Sequence, residues 1–266
     1  MHIPISAIWQ TLPEDLAQKL NLCLDSANDA KSLSGKIDIF FRSDDIAVPG
    51  DQFTRIMALF GRYRMPLALA VVPAWLTSAR WRSLKSVAGS DFSLWSWHQH
   101  GWRHANHSRE GKKAEFGENR PIEEIEIDLK KGRARLEKIM GEDFYPAFTP
   151  PWNRCGTETI DLVNKLGYRA ISRSARKENK KPNALPEYSV NVDLHTRKEQ
   201  FYKEGWINLF AEITESLASG FCGIMIHHRR MNDTAFLFLE RFFEIIAQRK
   251  DLQTVSLQEL VEREEK

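Results

Sequence analysis

Pro66-Leu67-Ala68-Leu69-Ala70-Val71-Val72-Pro73 is a continuous apolar run bracketed by prolines. A strand with one solvated face alternates apolar and polar residues, whereas a strand covered on both faces by helices has no polar position to offer. The run therefore reads as a buried parallel strand. Other short apolar runs flank it at Ile37–Phe41, Phe92–Trp97, Tyr145–Thr149, Tyr168–Ser172, Val190–Leu194 and Cys222–Ile226. Between them lie helical patterns at Gln52–Tyr63, Ile122–Met140, Thr157–Leu166, Asn208–Ala218 and Asp233–Gln248, the third followed by Gly167, a residue suited to a helix C-terminus. Strands alternating with helices imply a parallel sheet, and about seven such strands predict an α/β fold, a distorted (β/α) barrel, formed by residues 1–266 as a single domain. No internal repeat interrupts the pattern. Arg173–Pro186, rich in Lys, Arg, Asn and Pro, reads as an exposed loop.

Bulk composition narrows the function classes. With 266 residues and 42% apolar content the chain can bury a sizeable core. A net charge of +2 with acids and bases intermixed gives no field that would recruit nucleic acid or a membrane surface. Cys23, Cys155 and Cys222 are odd in number and widely separated, which argues against a disulfide framework. The opening Met1-His2-Ile3-Pro4-Ile5-Ser6 has no basic region leading into an apolar one, and no run approaches the ~20 apolar residues of a membrane helix. A cytoplasmic protein is the expectation.

The polar residues after the apolar runs carry the chemistry. Arg42-Ser43-Asp44-Asp45 closes the first run, and Phe92–Trp97 leads into His98-Gln99-His100-Gly101-Trp102-Arg103-His104-Ala105-Asn106-His107. Four imidazoles in one short stretch cannot all be buried cheaply without partners. Neutral imidazole is a good ligand for borderline ions, and Gly101 eases the turn that lets His100 and His104 meet one of them. His98 shares a face with His100 if the segment is extended, so it stands as the reserve ligand. One carboxylate and two imidazoles with open coordination positions is the donor set of a hydrolytic metal site. Thr149-Pro150-Pro151-Trp152-Asn153 and His227 also follow strand ends, and in a parallel barrel these ends share the face that carries the active site. His2 and His195 read as structural. Among the tryptophans, Trp95 and Trp97 read as core, whereas Trp102 and Trp152, on turns, read as walls for a substrate.

Taken in order, these residues resemble the polysaccharide deacetylase family of metal-dependent carbohydrate esterases. Its first motif, an Asp-Asp pair, is similar to Asp44-Asp45; its second, two His four residues apart, to His100 and His104. Its third, an aromatic-Arg-Pro-Pro-aromatic turn, is loosely matched by Phe148–Asn153, and its last, an apolar strand ending in His, by Ile224–His227. The resemblance spans roughly residues 36–230. It implies that Asp45, His100 and His104 hold one divalent ion, zinc being the common choice, and that Asp44 is the general base acting on water activated by that ion. It further implies that the Trp152 backbone N–H steadies the oxyanion, that Pro151, Trp152 and Trp102 border the substrate, and that His227 protonates the leaving amine. The implied reaction is removal of an acetyl group from an N-acetylated sugar or a related small amide, so the expected partner is a small N-acetylated carbohydrate or glycan.

Three positions depart from the family pattern: Thr149 stands where an Arg pairs with the catalytic base, Gly101 replaces a Ser or Thr, and the fourth motif has no match around Ile171–Arg176. Arg42 and Arg154 could each supply the missing charge. Arg42 is the chosen base-orienting residue, because residues i and i+2 of a strand share a face. Competing readings keep the fold and metal but cleave another C–N bond, such as a cyclic imide, or retain the fold as a sugar-binding module. Asp44 and His227, which binding alone does not require, favour the enzyme. His98-Gln99-His100 also suggests a metallo-β-lactamase-like site, but Trp102 and Arg103 occupy the places of its Asp and His.

Overall fold

β1 (Ile37–Ile46) and β7 (Phe221–Ile226) lie parallel in a register that pairs Ile39 with Cys222 and Ser43 with Ile226. The computed structural model describes residues 4–30, 35–89, 91–174 and 185–265. The chain folds as two compact units, one formed by residues 1–43, 50–67 and 191–255 and the other by 44–49, 68–190 and 256–266.

In the first unit β1 also pairs with β8 (Leu252–Val255), and β7 with β6 (Val192–Asp193), all parallel. The helices are α1 (Leu16–Ala30), α2 (Asp51–Tyr63), α6 (Tyr202–Ala218) and α7 (Asp233–Gln248). Helix α7 places Phe238, Leu239, Phe242 and Phe243 on its buried side, an i, i+1, i+4, i+5 pattern that makes a broad apolar stripe. Phe243 meets Phe60 and Phe41 edge-to-face at 4.7 and 5.3 Å, while Trp9, fully buried, packs on Phe238 and Trp206 at 5.3 and 5.5 Å.

In the second unit β2 (Leu67–Val71), β3 (Trp95–His100), β4 (Phe144–Thr149) and β5 (Ala170–Ile171) are neighbours in that order. Helices α3 (Ser78–Ala88), α4 (Ile122–Met140), α5 (Thr157–Lys165) and α8 (Leu257–Glu264) complete it. All five residues of β2 are buried, as the proline-bracketed run predicts. Phe116, Leu129, Phe148, Val163 and Ile171 form a cluster of buried side chains here. The last residues of β1 belong to this unit, where the Val72 N–H donates to the Ile46 carbonyl at 2.9 Å.

Parallel pairing with alternating helices is the pattern of the distorted (β/α) barrel. Among the described residues eight strands stand where the sequence predicts about seven, and β5 and β6 are only two residues long. The differences from the sequence reading are local. Phe92–Leu94 is a single 3-10 turn capped by the Asp91 side chain, so the strand begins at Trp95 and takes in the histidines as far as His100. Similarly, β1 continues through Asp44 and Asp45. Helix α6 starts at Tyr202, earlier than Asn208, and α1, α3, β8 and α8 are additional. Arg173–Pro186 is not an exposed loop at its described ends: the Arg173 guanidinium is buried and pairs with Glu187 through Nε at 2.9 Å and Nη2 at 3.0 Å, and Leu185 is buried. Two near-parallel bonds to a carboxylate keep that cation out of water. Residues 175–184 of that expectation, and His2, lie outside the described residues.

Candidate metal centre

The end of β1 and the turn after β3 bring three donor atoms together. Asp45, next to last in β1, lies in the left-handed region at φ 61°, a conformation that a short polar side chain tolerates better than most. After His100 the backbone turns at Gly101 (φ 58°), and His104 is itself left-handed at φ 58°. Asp45, His100 and His104 each offer one ligand atom, all within 4.8 Å of one another. The Asp45 Oδ1 lies 3.5 Å from the His100 Nε2 and 3.3 Å from the His104 Nε2.

The hydrogen bonding of the two imidazoles tests whether the group fits a cation. The His100 Nδ1 is 3.0 Å from the Thr149 carbonyl oxygen. A carbonyl only accepts, so Nδ1 carries a proton, and in the neutral imidazole it is Nε2 that offers its lone pair on the side of Asp45. A lone pair facing a carboxylate repels it unless a cation lies between them. Burial, helped by the His100 imidazole, lowers the His104 pKa to about 4, so this ring too is neutral at pH 7. Two ligands held at about 2.0–2.1 Å from one zinc ion at tetrahedral angles lie about 3.3–3.4 Å apart, close to the observed separations. The donor set therefore fits a divalent ion with at least one open position.

His98, the reserve ligand, is engaged elsewhere. Its Nδ1 faces the Ser96 carbonyl at 3.1 Å, and its Nε2 is 2.8 Å from the Thr149 Oγ1. The first of these places the proton on Nδ1, so the second is a bond donated by the Thr149 hydroxyl. Thr149 thus serves both histidines of β3, His98 through its side chain and His100 through its carbonyl, from the strand register that pairs His100 with Thr149.

The support of the 100–104 turn carries no sequence signal. The Gln99 Nε2 donates to the Gly101 carbonyl at 3.0 Å, and the Gln99 Oε1 accepts from the Tyr168 hydroxyl at 2.6 Å. Gly132, inside α4, permits this: a Cβ there would lie 2.3 Å from the Gln99 Nε2. On the other side the buried Glu115 carboxylate accepts the backbone N–H groups of Trp102, Arg103 and His104 at 3.2, 2.8 and 3.2 Å. Burial pushes the Glu115 pKa up, and the N–H groups of Arg103, Trp102 and Ala105 oppose the shift. Glu115 sits in the charged stretch Glu110–Glu115, which carries no pattern that marks it.

The polysaccharide deacetylase family profile matches residues 36–171, just over half of the chain. The chain belongs to the polysaccharide deacetylase family. Similar solved structures include a candidate polysaccharide deacetylase from Mycobacterium smegmatis, at 13% identity and a TM-score of 0.63, covering 88% of this chain and 92% of that one. The Xyl-CE4 domain of a multidomain xylanase from the hindgut metagenome of Trinervitermes trinervoides aligns at 11% identity and a TM-score of 0.52, covering 87% and 92%. A CE4 family pseudoenzyme from Bacillus anthracis aligns at 10% identity and a TM-score of 0.53, covering 86% and 66%. At these identities the likeness concerns the fold. A comparison with curated proteins gives no match.

The region matched by the deacetylase family holds Asp44, Asp45, His100, His104 and the Pro150–Asn153 turn, and it stops before His227. Asp44 is buried and close enough to His104 to act on its charge. In the turn, Trp152 is left-handed at φ 56° and so is Asn153 at φ 59°, an arrangement closed by the Asn153 N–H donating to the Pro150 carbonyl. The Trp152 ring lies 4.3 Å from that of His104, and the Trp75 ring lies 5.8 Å from it. Pro151 is buried beside Gly101. Trp102 packs against the cluster around Phe116 and Phe148. Trp95 and Trp97 are buried, as expected.

Arg42, the chosen base-orienting residue, is fully buried in β1, with Nη2 3.3 Å from the Met225 Sδ. Arg154 instead donates to the Lys113 carbonyl at 2.9 Å. His227 is half-buried at the end of β7, and its Nδ1 has no hydrogen-bond partner among the described residues. Its neighbour His228 is buried with its ring 5.9 Å from that of Phe53. The His227 N–H donates to the His195 Nδ1 at 3.2 Å, and burial holds His195 well below its ordinary pKa, so a neutral buried imidazole fixes the backbone at His227. No helix among the described residues is long and apolar enough to cross a membrane.

Proposed function

We propose that this protein is a metal-dependent deacetylase that hydrolyses the acetamide of a small N-acetylated carbohydrate. The observation that carries the reading is the group formed by Asp45, His100 and His104, in which the Asp45 Oδ1 lies 3.5 Å from the His100 Nε2 and 3.3 Å from the His104 Nε2. These three residues hold the ion, for which zinc suits the mixed nitrogen and oxygen donors. A divalent ion supplies Lewis acidity, which makes a water nucleophile available near neutral pH.

The remaining steps fall to the chain. Asp44 takes the proton from the attacking water, and Arg42 is proposed to orient that carboxylate. The Trp152 N–H donates to the oxygen that becomes negative as the carbonyl carbon turns tetrahedral. His227 protonates the leaving amine, which is too basic to depart otherwise. The rings of Trp152 and Trp75, both in contact with His104, and the side chains of Pro151 and Trp102 offer an apolar border suited to the face of a sugar ring.

The test is acetate release from small N-acetylated sugars by zinc-loaded and chelator-stripped protein, run beside cyclic imides and simple amides. Acetate release that needs the ion supports the proposal. Turnover of imides alone moves the assignment to another C–N bond. Binding of sugars with no turnover of any substrate leaves a sugar-binding module in its place.

A further inference from the structure

The turn that delivers His104 is built around a buried carboxylate. Three consecutive backbone N–H groups, from Trp102, Arg103 and His104, converge on Glu115, two on Oε2 and one on Oε1. Residues on either side of this nest are left-handed, Gly101 at φ 58° and His104 at φ 58°. A Cβ on Gly101 would come within 2.2 Å of the Glu115 Oε2, so the glycine permits the approach of carboxylate to backbone. Without an acceptor here, three N–H groups would face a buried space, and successive N–H groups are a concavity that only an anion fills well.

Glu115 is itself held in place. Its carbonyl accepts from the Arg120 Nη1 at 3.2 Å, and Arg120 is fixed by Asp128 of α4 at 2.5 Å. The next residue, Phe116, bridges in parallel to Cys155, and its carbonyl accepts from the Gly156 N–H at 3.0 Å and the Thr159 hydroxyl at 3.2 Å. The segment 115–116 thus reaches the 100–104 turn through a side chain and the chain just after the Pro150–Asn153 turn through its backbone.

We propose that Glu115 is a positioning residue of the metal centre: its carboxylate sets the backbone of residues 102–104 so that the His104 imidazole meets Asp45 and His100, and its segment registers that turn against the one bearing Trp152. This rests on the metal reading of Asp45, His100 and His104. Glu115 touches no substrate; it acts through His104.

The experiment measures zinc affinity by chelator competition, and the visible absorption of the cobalt-substituted protein, for wild type, Glu115→Gln and Glu115→Asp. Gln keeps the volume, but it offers one oxygen where three N–H groups need two and sets an NH2 against the rest. Glu115→Gln should bind zinc about 10–100-fold more weakly, the range for partners behind a ligand, with an altered cobalt spectrum. Glu115→Asp keeps the charge and should fall between the two. If Glu115→Gln binds zinc within about twofold of wild type with an unchanged spectrum, the proposal is overturned. Should Glu115→Gln fail to fold, Glu115→Asp decides alone, a clear loss of affinity supporting the role and an unchanged affinity removing it. A wild-type protein that takes up no ion overturns the metal reading and this role with it, an outcome distinct from a wild type that binds beside an unaffected variant.

Discussion

Replacing Gly101 with Ala adds a single methyl group at the point where β3 hands over to the metal turn, and its effect can be worked from local geometry. At φ 58° any residue with a Cβ is strained, by about 1–2 kcal/mol. The new Cβ would lie 2.2 Å from the Glu115 Oε2 and 2.5 and 2.7 Å from the Pro151 Cγ and Cδ, so it has no direction in which to yield. The Glu115 carboxylate must retreat by about 1 Å to reach ordinary van der Waals separation. That breaks or stretches the two bonds that Trp102 and His104 donate to Oε2, each already 3.2 Å long. Hydrogen bonds to charged groups contribute about 1.5–3 kcal/mol each, and water cannot easily replace them at a fully buried carboxylate. The sum is about 4–8 kcal/mol, a large part of the ~5–15 kcal/mol that holds a domain together. Urea unfolding of metal-free protein, followed by circular dichroism and by tryptophan fluorescence, measures the difference. A loss below about 1 kcal/mol with an unchanged slope would show that the turn relaxes freely, and the account of a carboxylate-locked loop would be wrong.

Asp44→Asn and His227→Ala should keep the bound ion yet lose about 10²–10⁴-fold in turnover, as expected for a missing acid or base; full activity of either variant removes its role, and loss only in His228→Ala moves the acid one residue on. Arg42→Met should slow turnover with metal content intact, measured by steady-state kinetics and elemental analysis, and unchanged kinetics would dismiss Arg42 as the orienting residue. In the metal-free protein His104 titrates at about 4, below the ordinary 6.5, because burial disfavours its charged form. The unfolded chain therefore takes up the proton first as pH falls: the contribution to stability is complete above pH 6.5 and is lost between pH 6.5 and 4, by about 3 kcal/mol in all at ~1.4 kcal/mol per unit. Urea midpoints of wild type against His104→Gln across that window report it, and parallel pH curves would refute it.

Much of this is legible in the sequence because burial on both faces leaves a plain mark. The strand Leu67–Val71 and the helix Ile122–Met140 lie at or near the limits that their patterns predict, and the alternation around them is enough for the fold. The site is legible for a related reason: clustered imidazoles and paired carboxylates at strand ends have few structural uses. What sequence does not reveal depends on interactions distant in the chain. The apolar run stops at Trp97 and His-Gln-His is a poor strand by composition, yet β3 continues to His100 because Thr149 satisfies both histidines from the neighbouring strand. Gly132 costs about 1 kcal/mol inside a helix and looks like a weakness until Gln99 is seen lying against it. Glu115 resembles a solvated charge in sequence and is instead the fully buried acceptor of three amides. Helices α1 and α3 do carry readable apolar spacings, at Leu16, Leu20 and Leu24 and at Trp81, Leu84 and Ala88, so their absence from the predicted elements has no physical excuse.

The central claim is that Asp45, His100 and His104 hold one divalent ion. Its most direct test is the metal content of wild-type and Asp45→Ala protein after loading with zinc and dialysis, measured by elemental analysis on folded, monodisperse samples. The account predicts one zinc per chain in the wild type and a small residue of that in the variant, since two imidazoles without the carboxylate make a weak site. A wild type that retains no zinc, or a variant that retains as much as the wild type, would contradict it.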